Sequence, residues 1–234
     1  MVIYRQSWLF SAIFCGAIAA RLYNLAGTFL MVQNHFRRFY PLLLLLLTSL
    51  CVGQSIYFPA GILGEDARED NFKIEWYSKF LTAMHEPSLC EASKTQKTQT
   101  YRFLWLRSFH QPVSVRLEVN RDGTALLTTK ITSGNGGYEP RRLIVNRTQR
   151  LTREHTSWVL DRIEELKFWS LPTNPPRHPN EIGVDGAQWI FEGAKDGAYH
   201  VVDRWSPEKD EIHALGIMML IDLAKLKLLY QDVY

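Results

Sequence analysis

Between Asp70 and Met84 apolar side chains return at every fourth position, Phe72, Trp76, Phe80 and Met84, with Ile74, Tyr77 and Leu81 widening the stripe. This spacing predicts a one-sided helix. His85-Glu-Pro-Ser88 ends it, because proline cannot continue the hydrogen-bond ladder. The polar run Glu91 to Thr100 reads as an exposed connection. The period then drops to two. Tyr101, Phe103, Trp105, Arg107 and Phe109 alternate with Arg102, Leu104, Leu106 and Ser108, so this strand is apolar on both faces and belongs in the middle of a sheet. Val113, Val115, Leu117 and Val119 alternate with Ser114, Arg116, Glu118 and Asn120, the pattern of a strand with one wet face. Asp122-Gly123 supplies a turn, since both residue types tolerate positive φ. Ala125, Leu127, Thr129 and Ile131 form the returning strand, and Tyr138 to Thr148 reads as a fourth.

Thr152 is a good N-cap for a helix over about Arg153 to Trp169, whose buried face is expected to carry Trp158, Val159, Ile163, Leu166 and Trp169. Four prolines between Pro172 and Pro179 stop it. A further pair of strands follows, and Ser206-Pro207 is expected to cap a last helix to about Tyr230, with Ile212, Leu215, Met219, Leu223 and Leu226 on its buried side. Strands clustered behind short turns, with helices set apart from them, predict an α+β domain. Its antiparallel sheet has about six strands, a four-strand meander plus a C-terminal hairpin, with helices packed on one face.

The last hairpin can be read to the residue. If Asp196-Gly197 is a two-residue turn, Lys195 faces Ala198, Glu192 faces Val201, Ile190 faces Asp203 and Gln188 faces Trp205. One side then carries Gln188, Ile190, Glu192, Tyr199, Val201, Asp203 and Trp205. The other carries Trp189, Phe191, His200, Val202 and Arg204. A loop of odd length would exchange the partners.

Charge changes the picture mainly at the N-terminus. The 234 residues carry a formal net charge of +3, from 27 basic and 24 acidic side chains. Arg5, Arg21, Arg37 and Arg38 are the charged residues of positions 1–55, and removing them leaves 23 basic against 24 acidic residues, a net of −1. A globular part so near neutrality argues against nucleic acid as partner. Residues 31–55 have the layout of a signal peptide: Met31 as start, a basic stretch His35 to Arg38, the leucines Leu42 to Leu47, then small residues at Gly53 and Ser55. Residues 1–30 read as an upstream extension, with Met1 or Met31 the true start, and residues 56–234 as a single domain. Export to the periplasm or the extracellular space follows. The alternative is that the segment is uncut and residues 39–52 anchor the protein in the membrane; Arg37-Arg38 and Leu47 to Cys51 match twin-arginine and lipoprotein signals poorly. Cleavage near residue 55 leaves Cys90 as the one thiol, too few for an internal disulfide, and nothing around it marks a nucleophile.

Standard chemistry is missing from the motifs. No Gly-x-Ser-x-Gly, His-Glu-x-x-His, Cys-x-x-Cys or Walker loop is present, and the seven histidines lack metal-ligand spacing, so no cofactor and no metal are expected. Ser133 to Tyr138 is glycine-rich, but a strand rather than a helix follows, which fits a hairpin loop better than a phosphate cradle. Asn146-Arg-Thr148 matches a glycosylation sequon. Two carboxylates on neighbouring strands, Glu192 and Asp203, are the candidate catalytic pair, for acid–base work if one is desolvated enough to keep a proton. The competing reading has these acids and Gln188 facing solvent or paired with Arg116, Arg107 or Lys130, with Trp189 and Phe191 packed under the helices. Candidate binding residues are Arg107 and His110, which end a strand and suit an anion, together with Trp205 and Tyr199.

The segments Tyr101 to His110, Gly134 to Tyr138, Asp185 to Trp189 and Tyr199 to Pro207 together resemble a group of uncharacterised exported bacterial proteins. The resemblance spans about residues 70 to 234; it implies a bacterial host and transfers no catalytic residue. The expected function is a non-enzymatic binding module of the cell envelope, with a protein, peptide or glycan as partner and membrane contact only through an uncleaved N-terminal segment. Two others stand beside it: a hydrolase-like enzyme using Glu192 and Asp203, and a carrier of a small apolar ligand.

Overall fold

Six strands form one open sheet in the order β4-β3-β2-β1-β5-β6, every neighbouring pair antiparallel. They are β1 Gln99–Arg107, β2 Val113–Val119, β3 Ala125–Thr132, β4 Leu143–Leu151, β5 Ala187–Lys195 and β6 Ala198–Trp205. The computed structural model describes residues 56–95, 99–175, 185–208, 210–228 and 232–234, all within the compact unit Gln54–Tyr234. The expected signal or anchor segment and its possible starts lie outside the described residues.

The meander and hairpin take the expected form, and β1 is the strand that joins them. It is paired with β2 on one side and β5 on the other, so neither of its edges is free, and its two apolar faces are buried in separate cores. Asp196 and Gly197 both take positive φ, 50° and 88°, and the β5–β6 register is the even one, Glu192 opposite Val201 and Ile190 opposite Asp203. A two-residue turn of this kind matches the right-handed twist of the strands. The Asp122 turn is wider than expected: Asn120 and Thr124 are bonded through backbone and side chain, and of the pair only Gly123 has positive φ.

Helices cover both faces of the sheet, not one. On the first face α3 (Arg153–Glu165), α4 (Glu211–Ile217) and a π-helical turn (Met218–Leu223) pack Val159, Ile163, Ile212, Leu215 and Met219 with Phe103, Trp105, Trp189 and Phe191. Phe103 and Phe191 stack there with centroids 4.2 Å apart, an arrangement that contributes about 0.5–1.5 kcal/mol beyond area burial. On the second face α1 (Ala67–Ala83) packs Tyr77, Phe80 and Leu81 with Leu104, Leu106, Ile190 and Val201. The second cover follows from the sequence of β1, since Leu104 and Leu106 also have to leave water. It also covers the supposed wet face of β2, where Ser114 and Arg116 are buried.

Local departures have local causes. Along α1 each step of four residues overshoots a turn by about 40°, so Phe72 swings away from Phe80 and lies 63% exposed. Leu89–Thr95 is a short helix, α2, where an exposed connection was expected, and it buries Leu89, Cys90 and Ser93. The third helix stops at Glu165, followed by a single 3-10 turn Phe168–Ser170, and it turns Thr156, Val159 and Ile163 inward, which leaves Trp158 41% exposed rather than in the core. The last helix is capped by Asp210, whose side chain accepts from the His213 N–H at 2.7 Å. Ser206 instead accepts from Ala187 N–H and tethers the end of β6 to the start of β5. Helical structure ends at Leu223, short of Tyr230.

Candidate functional site

Glu192 and Asp203 lie on the same face of the hairpin, as the turn parity requires, and each is buried within its own ring of partners. Arg102 stands directly opposite Glu192 in the β1–β5 ladder, and its Nε donates to Glu192 Oε2 at 2.7 Å. Tyr199 completes the carboxylate by donating its hydroxyl to Oε1 at 2.9 Å. The network then extends into the loop after α1. Glu86 receives Arg116 Nε at 2.8 Å and Lys130 Nζ at 2.9 Å, with Arg102 Nη1 3.5 Å away. Arg102 Nη1 and Lys130 Nζ also donate to the carbonyls of Pro87 and His85, so charges on three strands clamp that loop onto the sheet.

Asp203 is held separately. Lys73 of α1 places its ammonium 3.1 Å from Oδ2, Tyr77 donates its hydroxyl to the same oxygen at 3.1 Å, and Gln188 donates to Oδ1. The competing structural reading named Arg116, Arg107 and Lys130 as partners; the cations that fill the role are Arg102 and Lys73. Burial pushes the carboxyls of both Glu192 and Asp203 upward against the pull of those cations. Burial acts on Glu86 too, but Arg102, Arg116 and Lys130 together outweigh it and hold that carboxyl below its ordinary value. The hydroxyls of Tyr77 and Tyr199 are pushed far up by burial and by the carboxylates they touch.

These two carboxylates belong to diagonal neighbours across the ladder, residues that lie roughly 7–8 Å apart with their Cβ atoms somewhat closer. Each is closed off by its own donors, Glu192 by Arg102 and Tyr199 and Asp203 by Gln188 and by Lys73 and Tyr77 of α1. A void of about 10 Å³ touches Glu192 and Arg102 but is otherwise lined by first-face residues such as Phe168 and Phe191, and it has room for a single water. His200 points to that opposite face, against Phe168 and Trp169, so no His200–Asp203 relay forms.

The candidate binding residues divide. Arg107, His110 and Trp205 gather at one end of the sheet, whereas Tyr199 belongs to the Glu192 network at the other. Arg107 is buried with its guanidinium 3.9 Å from the centroid of the Trp105 ring, and burial lowers its pKa. Exposed His110 shares a 2.7 Å hydrogen bond with the hydroxyl of Tyr234, a residue the sequence reading passed over. The backbone oxygen of Tyr234 also accepts from the indole N–H groups of both Trp105 and Trp189, at 3.2 and 2.9 Å. Nothing in the local sequence signals Tyr234; the contact joins positions 124 apart.

That end of the sheet also carries solvent-facing aromatics on tethered loops. Phe109 and Tyr138, 53% and 59% exposed, have ring centroids 6.3 Å apart. Their loops are pinned: Gly136 N–H donates to His110 O and Gly137 N–H to Ser108 O, while Trp76 Nε1 donates to Gly136 O at 3.0 Å. The Ser133 to Tyr138 segment thus spends these N–H groups inside the protein, as a hairpin loop. Ser108 N–H donates to Gly186 O, and Trp205 is 39% exposed. Parts of the stretches 101–110, 134–138, 185–189 and 199–207 therefore meet here. Among the described residues, no group of three or more His, Cys, Asp and Glu side chains is placed to hold a metal ion. Compared with known proteins, the chain matches no family model and no curated sequence.

Proposed function

We propose that this chain is an exported bacterial protein that works by binding, a non-enzymatic module of the cell envelope whose contact surface is the aromatic end of the sheet. The observation that carries this reading is the Phe109–Tyr138 pair, more than half exposed on loops fixed by backbone hydrogen bonds to neighbouring elements. Exposed aromatics on a fixed frame lose little side-chain entropy on binding and suit a protein, peptide or glycan. Export rests on the composition of residues 31–55, and the resemblance of the four converging segments supports it. Among the described residues, no helix is long and apolar enough to cross a membrane.

The test is an array of bacterial cell-wall glycans and envelope peptides probed with the labelled full chain. Saturable binding to a defined class, lost in the Phe109→Ala/Tyr138→Ala variant, supports the reading. Binding indifferent to that double substitution overturns it.

The hydrolase-like alternative draws support from the upward shift of the Glu192 and Asp203 carboxyls. In the described structure it requires α1 to leave the sheet, because Lys73 and Tyr77 of that helix occupy Asp203. Release of soluble fragments from cell walls, abolished in a folded Asp203→Asn protein, would establish it.

A further inference from the structure

The geometry points to a second contact surface, beyond the aromatic end: we propose that the free edge of β4 and the groove beside it take an extended acidic peptide as an added strand. β4 is the terminal strand of the sheet and, among the described residues, pairs with β3 alone. An edge of this kind presents alternating N–H and C=O groups to any chain that lies along it. Residues 140–153 contain Arg141, Arg142, Arg147, Arg150 and Arg153 and no carboxylate. Arg147 and Arg150 belong to β4, Arg141 and Arg142 lead into it and Arg153 opens α3, and this acid-free stretch selects an acidic partner.

The groove gives the peptide something to settle into. It has a volume of about 650 Å³, within the range of ligand clefts, and its floor is Gln149 to Leu151 at the end of β4 far from the Tyr138 loop. One wall is His155 and Trp158 of α3, and the other is Asp222, Leu223 and Lys225 after the π-helical turn. This second wall is tied to the strand, since Gln149 Nε2 donates to Leu223 O at 2.7 Å and Arg147 donates to Ala224 O. Trp158 stands 41% exposed and offers an apolar anchor. Arg150 already meets Asp122 at 2.9 Å, and Asp222 disfavours a carboxylate beside it. Arg147 is turned to Ala224 O, so the acidic residues of the peptide fall toward Arg141 and Arg142 at the start of β4.

Charge and pairing also exclude other occupants. A second copy pairing β4 to β4 would set one arginine row against another. The outer edge of β6 is already engaged, with Asp203 N–H donating to Thr173 O at 2.7 Å. Residues 1–55 of the chain itself carry arginines and no acid. A nucleic acid offers phosphate acceptors but no regular row of donors, so it would leave the carbonyls of the strand unpaired.

Fluorescence anisotropy of the full chain with a labelled decapeptide of alternating glutamate and threonine tests the proposal. Saturable, salt-sensitive binding is expected, weakened about tenfold or more by each of three changes: lysine for glutamate, N-methylation of alternate peptide bonds, and Trp158→Ala. Arg141→Glu/Arg142→Glu should weaken it similarly. No saturable binding, binding of the lysine or N-methylated peptide within about twofold of the parent, or displacement by an equimolar oligothymidylate would overturn it. The array reads Phe109 and Tyr138 whereas this titration reads Trp158 and the arginines, so either surface can fail alone.

Discussion

Arg102 and Glu192 face each other across the β1–β5 ladder, guanidinium to carboxylate at 2.7 Å, with both side chains sealed from solvent. Removing one partner leaves an uncompensated charge in the interior, which typically costs about 3–5 kcal/mol. Arg102→Met is therefore expected to lower the unfolding free energy by that amount, measured by urea titration followed by far-UV circular dichroism. Replacing the pair together, Arg102→Met with Glu192→Leu, should recover much of the loss. A single substitution as benign as the double one would show that the pair is solvated in solution.

Asp203 ties stability to pH in a definite direction. Its carboxyl is raised in the folded protein, so between its ordinary value and the raised one the native state holds more protons than the unfolded chain. Stability due to this group falls as pH rises through that window. Asp203→Asn removes the dependence, and its melting temperature should gain on the wild type with rising pH. A constant difference between the two proteins across pH 4 to 8 would contradict this.

His200 acts in the opposite sense. Burial against Phe168 and Trp169 lowers its pKa, so from its ordinary value near 6.5 downward the unfolded chain takes up the proton first. Stability is lost on acidification through that window. In His200→Phe the fall in melting temperature between pH 7.5 and 5.5 should be smaller than in the wild type, and an equal fall would place the ring in water.

Gly216 of α4 lies against the Trp189 ring so closely that a Cβ there would overlap it. Overpacking of this kind typically costs about 1–3 kcal/mol. Gly216→Ala should destabilise the fold by that much and alter the near-UV dichroism of the tryptophans, with far-UV dichroism retained. An unchanged near-UV spectrum would mean that α4 sits farther from the sheet.

The parts of this fold readable from sequence are those set by local chemistry. Asp196-Gly197 accepts positive φ at both positions, and the parity of a two-residue turn then assigns every side chain of the hairpin to a face. Period-two alternation likewise marks β1 as central. What stays hidden depends on distant partners. Arg102 reads as one polar residue among apolar neighbours, and its carboxylates arrive from positions 86 and 192. Trp158 matches a helical core stripe, yet α3 turns it outward to the groove. The sequence also shows that both faces of β1 need cover without saying which helix covers which, and that is why a one-sided layer was expected. Arg107 and His110 are legible as polar groups at a strand end; Tyr234, which reaches His110 from 124 positions away, is not.

The pairing of β1 with β5 joins residues as much as 94 positions apart, Thr100 with Ala194, whereas β1 to β4 are linked by short loops. A chain leaving the ribosome or a translocon N-terminus first can zip up the meander early, but it must then hold the outer margin of β1 vacant until residues 187–195 emerge. During that interval Arg102 has no Glu192 and an apolar strand lies open to any passing strand of another molecule. The late hairpin is thus the closing clasp of the sheet, and the waiting time before it arrives is when this protein is most exposed to misassembly.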